Sequence, residues 1–290
     1  MIIVVGAGPA GLAAAKSAAS KGCHVTVIDS QARGGGQYWR HQTEVYGYKS
    51  NRSADYLNEL QQNKLITHIT GAQVWSAEKL GDGYQLNYLQ GGVEKKISAQ
   101  KIILTTGAYD RTLPFPGWTT SGVMTPGGAQ SLLKGHGVVA GKTIVVSGTG
   151  PFLLPVATAL ATNGARVEII EAQSPLRWAL SPLALLLNPG KFPELIHYAS
   201  AILRLKIKVS FGSAVTGYND GEVDISKVRS NLSIRKKNVR SAPADVVATG
   251  WGFLPDVTLG GILGCAQTLD RDETVIFAVD REQRANVQNI

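Results

Sequence analysis

The segment Gly6-Ala7-Gly8-Pro9-Ala10-Gly11 constrains this chain more than any other. It follows the β-branched run Ile2 to Val5, which reads as a buried strand. It opens the Ala-rich run Pro9 to Ser20, which reads as a helix closed by Lys21-Gly22. A second strand, His24 to Ile28, ends at Asp29-Ser30. In this setting Gly6 permits a tight turn, Gly8 lets a pyrophosphate approach the backbone, and Gly11 lets the helix lie close to the sheet. The helix start offers unbonded N–H groups to phosphate, with Pro9 suited to its first turn. Asp29, about twenty residues on, can accept hydrogen bonds from an adenosine ribose. The unit therefore predicts dinucleotide binding. The alternative is a glycine-rich turn that holds no ligand.

The same arrangement returns about 140 residues later, an internal repeat. Thr143 to Ser147 reads as a strand, Gly148-Thr149-Gly150 as the turn, Pro151 to Asn163 as the helix and Arg166 to Ile170 as the next strand. Glu171 stands where Asp29 stood. Leu153 replaces the third glycine, so this helix should tilt or sit further from its strand. Glu171 would favour a ribose with a free 2′-OH, hence NADH over NADPH, at a degenerate second site; a structural relic is the other reading. Between the repeats, Ser53 to Asn63 reads as a helix, and residues 66–104 as strands punctuated by Gly81-Asp82-Gly83 and Gly91-Gly92. Pro114, Pro116 and Gly117 suggest a linker.

Composition narrows the functional class. Hydrophobic residues are 44% and charged ones 17% of the 290 residues, the reverse of a disordered chain. The net charge of +8 comes from scattered cations; Arg235, Lys236, Lys237 and Arg240 form the densest group. No aromatics interleave there, so a solvated face is expected rather than a nucleic-acid surface, with an acidic partner as the alternative. Cys23 and Cys265 are the two cysteines, too few for a thiolate metal site or a disulfide framework. His41 and His136 have no partner at metal-ligand spacing. The apolar run Ala179 to Leu187 is broken by Pro182 and too short for a membrane span. A soluble, cytoplasmic chain is the expectation. Trp178 to Leu187 reads as core or as a partner interface, and Asp110-Arg111 as an exposed ion pair or a junction feature.

Taken with the first motif, Arg33-Gly34-Gly35-Gly36-Gln37 and Thr105-Thr106-Gly107-Ala108 resemble the flavoprotein reductases built from two dinucleotide-binding domains. A longer set of strings narrows the resemblance. Gly107-Ala108-Tyr109-Asp110-Arg111, Pro114-Phe115-Pro116-Gly117-Trp118, Gly122-Val123-Met124-Thr125, Gly127-Gly128-Ala129-Gln130 and Leu154-Pro155 are similar to the FAD-containing subunit of the opine oxidase and hydrogen cyanide synthase group. The resemblance runs over nearly the whole chain. It implies an α/β fold with two Rossmann-like (FAD/NAD(P)-binding) domains, the second inserted into the first. Residues 1–113 with 256–290 would form the FAD domain, and 114–255 the NAD(P)-binding-like one, with Gly250 to Asp256 as the return crossing.

The resemblance further implies FAD at Gly6, Gly8, Pro9, Ala10, Gly11, Asp29, Ser30, Gly35, Gly36, Gln37, Thr106, Gly107 and Ala108. A nicotinamide nucleotide would lie at Gly148, Gly150 and Glu171. It implies oxidation of the C–N bond of an amino acid or opine-like amine, with hydride passing to flavin. Partners would be a small iron–sulfur protein and a second flavoprotein subunit. Two departures stand out. The chain closes on Ala285-Asn286-Val287-Gln288-Asn289-Ile290, which resembles the run-in to the last strand of the FAD domain, whereas the family continues with a Gly-Asp motif and a helix. A fragment of a longer chain is expected, against a flavin site that has lost a part. The disulfide-reductase branch needs paired thiols, and Cys23 and Cys265 are taken to lie in separate domains. No catalytic acid or base is identified. The rival functions are an NAD(P)H-dependent flavin reductase and a non-catalytic, FAD-binding electron-relay subunit.

Overall fold

A computed structural model describes residues 1–39, 51–174 and 192–290, with the side chains of 51–52, 192–195 and 236–239 left aside. The chain divides into two compact units, Met1–Tyr109 with Leu254–Ile290, and Asp110–Phe253.

Unit 1 is built on a parallel sheet. β1 (Ile2–Val5) pairs with β2 (Val25–Ile28), and β3 (Ile66–Ile69) pairs with β2 on its other side. β7 (Lys101–Leu104) flanks β1, giving the order β3-β2-β1-β7. β1 is apolar throughout because both of its faces are covered. Val4 packs with Leu12 and Leu60 on the helical side, while Ile3 and Val5 meet Tyr84, Leu86 and Tyr88 on the other. Complete burial of each such side chain contributes about 1.5–3 kcal/mol. The helical side carries α1 (Pro9–Ser20) and α2 (Asn51–Gln62). The other side carries an antiparallel meander of β4 (Ala72–Leu80), β5 (Gly83–Gln90) and β6 (Val93–Ala99). The chain passes from one unit to the other at the short strands β8 (Ala108–Asp110) and β17 (Phe253–Pro255).

Unit 2 repeats the plan of unit 1. β10 (Thr143–Gly148), β11 (Arg166–Glu171), β12 (Lys208–Phe211) and β16 (Val246–Gly250) occupy the places of β1, β2, β3 and β7. α4 (Leu153–Thr162) and α5 (Phe192–Arg204) form the crossovers. A meander of β13 (Ser213–Asn219), β14 (Glu222–Val228) and β15 (Ile234–Pro243) intervenes as in unit 1. The short β9 (Val123–Met124) extends the sheet beyond β16, and α3 (Pro126–His136) follows it. The internal repeat thus extends past the two turns to the meanders, which carry no motif.

Several expectations change. Pro114 to Gly117 is not a linker: the Pro116 carbonyl accepts the Tyr218 N–H at 3.0 Å, and Phe115 packs on the unit 2 core. Gly117 has φ +86, and a Cβ there would collide with the Tyr218 carbonyl, which is why a glycine punctuates this stretch. Asp110 is the first residue of unit 2, in keeping with a junction feature, and its carboxylate accepts the Gly127 N–H at 2.8 Å in the first turn of α3. Cys23 and Cys265 both belong to unit 1, and both thiols are free. Cys265 is buried, and burial pushes its thiol pKa up. Arg240 pairs with Glu168 of β11 rather than facing solvent alone. His41 and the run Trp178 to Leu187 lie outside the described residues. No helix of the described residues is long and apolar enough to cross a membrane.

The remainder of unit 1 follows the return from unit 2. α6 (Thr258–Ile262) precedes the hairpin of β18 (Gln267–Leu269) and β19 (Val275–Phe277). The final residues lie against β7 and the meander: the Asn289 carbonyl accepts the Ile102 N–H at 3.0 Å, and the Gln288 carbonyl accepts the Tyr84 hydroxyl.

Candidate dinucleotide site

In unit 1 the chain leaves β1 through Gly6, whose φ is +103. A Cβ at Gly6 would collide with the Thr105 carbonyl, and one at Gly11 with the Gly6 carbonyl and the Thr105 hydroxyl. The helix therefore lies against the strand ends, as the spacing predicts. The Thr105 hydroxyl donates to the carbonyls of Val5 and Gly6 at 2.8 and 2.9 Å, fixing the turn from the β7 side. Gly8 differs from both: nothing lies within 4 Å of where its Cβ would stand. α1 begins immediately after it, with Pro9 in the first turn. The N–H groups of Ala10 and Gly11 precede the first helical bond, from Leu12 N–H to the Gly8 carbonyl at 2.9 Å.

Asp29 closes the arrangement. Its carboxylate accepts the Ala7 N–H at 2.5 Å through one oxygen and the Gln31 N–H at 2.6 Å through the other. It is 8% exposed, and each oxygen keeps a further acceptor position. Ser30 is exposed beside it. The chain then returns over the turn: the Gly35 N–H donates to the Ala7 carbonyl at 2.7 Å, and a Cβ at Gly36 would meet the Gly8 Cα at 2.8 Å. Gln37 is exposed just beyond. Thr106, Gly107 and Ala108 follow β7, and the return segment holds them. The Thr106 hydroxyl donates to the Asp256 carbonyl at 2.8 Å, and the Asp256 N–H to the Gly107 carbonyl at 3.0 Å. The structure brings the glycine turn, Asp29 and residues 35–36 into direct contact. These features suit a dinucleotide: open space at Gly8, helix N–H groups with no acceptor among the described residues and a carboxylate with acceptor capacity.

The second turn keeps part of this design. Gly148 has φ +136, and the Gly250 carbonyl fills its Cβ position as Thr105 does at Gly6. Gly150 faces open space. The helix differs. α4 starts at Leu153, which is 2% exposed, two residues later than α1 starts relative to its own turn. The Leu153 and Leu154 N–H groups close tight bonds to Gly150 and Pro151 at 3.3 and 3.2 Å. The bulk of Leu153 displaces the helix start, because the strand-hugging course of α1 requires a glycine there. Glu171 is 1% exposed and accepts the N–H groups of Gly150 and Gln173 at 3.1 and 2.9 Å. Its two oxygens accept one N–H each, as those of Asp29 do, but the carboxylate is more deeply buried.

Sequence reasoning missed His68. It sits on β3 opposite Val27, on the same face as Ile66, and its Nε2 is buried without a hydrogen-bond partner among the described residues. Burial lowers its pKa below the usual histidine value, with the Asp29 carboxylate opposing. The ring helps to line a cavity of about 490 Å³ between α2 and residues 32–34. A lone histidine on a short strand carries no local signal of this.

A family model described as pyridine nucleotide-disulphide oxidoreductase matches residues 1–290. An opine oxidase subunit of Rhizobium meliloti is 31% identical over 100% of this chain and 57% of its own length. The hydrogen cyanide synthase subunit HcnB of Pseudomonas protegens is 29% identical over 93% of this chain and 60% of its own. The chain thus spans little more than half the length of these relatives. The solved structure of T. acidophilum thioredoxin reductase superposes with a TM-score of 0.69 at 21% identity, covering 99% of this chain and 87% of that one. That likeness establishes the shared fold.

Proposed function

Because the chain belongs to the pyridine nucleotide-disulphide oxidoreductase family, whose members bind FAD and NAD(P), we propose that it is part of an FAD-dependent oxidoreductase acting on the C–N bond of an amino acid or opine-like amine. The observation that carries the cofactor assignment is the unit 1 turn, with open space at Gly8 beside a carboxylate-clamped loop. The names of the relatives, opine oxidase and hydrogen cyanide synthase subunits, support the substrate class. They also support work in a hetero-oligomer, with a small iron–sulfur protein and a second flavoprotein subunit as the proposed partners.

When bound, the flavin supplies hydride-accepting chemistry. The protein's part is binding and orientation. Gly8 leaves the backbone open to the pyrophosphate, and the Ala10 and Gly11 N–H groups donate to it. Asp29 holds the turn through Ala7 and uses its remaining acceptor positions for the ribose. Gly35, Gly36 and Gln37, with Thr106, Gly107 and Ala108, are the proposed flavin-side contacts.

A second reading, an NAD(P)H-dependent flavin reductase, draws on the retained Gly148 and Gly150. The buried Glu171 and the late start of α4 weigh against it. Anaerobic titration of the FAD-loaded chain separates the two. Bleaching of the flavin band near roughly 450 nm by an amino acid or opine supports the amine reading, and bleaching by NADH alone supports the reductase. Bleaching by neither removes both activities from this chain.

A further inference from the structure

The hairpin of β14 and β15 in unit 2 turns through an ordered loop. The Arg229 N–H donates to the Ser233 carbonyl and the Leu232 N–H to the Arg229 carbonyl, each at 2.9 Å. The Asn231 Oδ1 accepts the Ser233 N–H at 3.1 Å and the Ser233 hydroxyl at 2.7 Å. This network holds Leu232 at φ +63, in the left-handed region that glycine or asparagine occupies at lower energy. Leu232 is nevertheless 40% exposed, and Ile234, the first residue of β15, is 46% exposed. β15 pairs with β14 alone among the described residues, so its outer edge carries no strand. Between Ile225 and Ser241 the sequence places Lys227, Arg229, Arg235, Lys236, Lys237 and Arg240, and no Asp or Glu. Arg240 pairs with Glu168. Lys227 instead donates to the Phe211 carbonyl and the Ser213 hydroxyl, and Arg229 to the Ser233 hydroxyl and the Ile234 carbonyl, so neutral oxygens meet these two charges.

We propose that β15 accepts an extended, acidic segment of a partner protein as an added strand, with Leu232 and Ile234 meeting its apolar side chains. Unpaired N–H and C=O groups along an edge give such an addition its affinity, and alternate side chains give its specificity. Cations on an edge strand repel a second copy of the same strand, so self-pairing is disfavoured while an acidic strand is attracted. Protection against self-pairing alone does not call for two exposed aliphatic side chains where the strand begins, one of them on strained backbone. A surface for single-stranded nucleic acid stacks bases on aromatic rings, and residues 225–241 contain none. The hydrogen-bonded, pre-ordered turn suits a shaped protein partner better than a fluid lipid surface. The inference concerns unit 2 alone and does not rest on the flavin reading.

The test titrates the whole chain into three short labelled peptides, of alternating Glu and Val, Glu and Gly, and Lys and Val. Fluorescence anisotropy gives the dissociation constants, and amide hydrogen exchange reports on β15. The Glu–Val peptide should slow exchange in β15 and bind about tenfold more tightly than the Glu–Gly peptide, which carries the same charge but is a poor strand former. The Lys–Val peptide should not bind. Arg235→Glu should weaken the Glu–Val peptide about tenfold. Leu232→Asn should weaken it too, at a melting temperature no lower than that of wild type, because asparagine tolerates a positive φ. Equal binding of the two acidic peptides would reduce the contact to charge attraction and overturn strand addition. So would an absence of binding, an unchanged exchange rate in β15, or unchanged affinity in both variants. Tighter binding of phosphatidylserine vesicles or of a thymidine oligonucleotide, lost in Arg235→Glu, would make the partner a membrane or a nucleic acid and overturn the assignment to a protein.

Discussion

The Asp29 carboxylate accepts the Ala7 N–H at 2.5 Å, so the residue that ends β2 fixes the turn that leaves β1. This bond links two roles: the carboxylate that would meet a ribose also shapes the bed for the pyrophosphate. Asp29→Asn keeps one acceptor oxygen but points an amide donor at a backbone N–H. The expected result is a loss of about 1–3 kcal/mol in stability, read by urea unfolding, together with weaker FAD binding. An unchanged unfolding midpoint would show that the turn holds without the clamp.

Glu171 clamps the unit 2 turn one residue further along, at the Gly150 N–H, from an almost fully buried position. Its predicted role in this protein is to hold the turn. Glu171→Gln should lower stability by about 1–3 kcal/mol while leaving the FAD content unchanged. Flavin loss at unchanged stability would contradict that division of labour.

The first turn is legible in the sequence because each of its requirements is local. Gly6, Gly8 and Gly11 stand at fixed spacing, and Asp29 closes the adjacent strand. The meander in unit 1 is legible through Gly81 and Gly91-Gly92, since turns that need positive φ announce themselves. Features set by distant partners are not. Gly117 reads as linker punctuation until Tyr218 is placed against it, and Asp110 reads as a surface charge until α3 is placed over it. In unit 2 the turn between β13 and β14 carries the same signal at Asp220-Gly221, both at positive φ, whereas the turn into β15 places Leu232 at positive φ with no glycine to announce it. His68 gains its interest only from the burial that α2 and the loop impose.

Acid should destabilise the chain through His68. Burial lowers its pKa in the folded state, so the unfolded chain binds the proton more readily. Between the unfolded value of about 6.5 and the depressed folded value, stability therefore falls as pH falls. His68→Asn removes this titration. Urea unfolding at a series of pH values from about 7.5 downward should show a flatter profile for the variant than for wild type. Parallel profiles would mean that the ring is not buried in solution.

The central claim is that the unit 1 turn holds FAD, and Gly8 tests it most directly. A Cβ at this position meets nothing within 4 Å, and φ is −71, so alanine fits the fold. It would nevertheless occupy the space that the pyrophosphate needs. The measurement is bound flavin per chain, by absorbance near roughly 450 nm after loading with FAD, for wild type and Gly8→Ala, alongside the melting temperature of each. The account predicts one flavin per wild-type chain and a large loss in Gly8→Ala at a nearly unchanged melting temperature. A wild-type chain that takes up no FAD, or a Gly8→Ala chain that keeps it, would contradict the account.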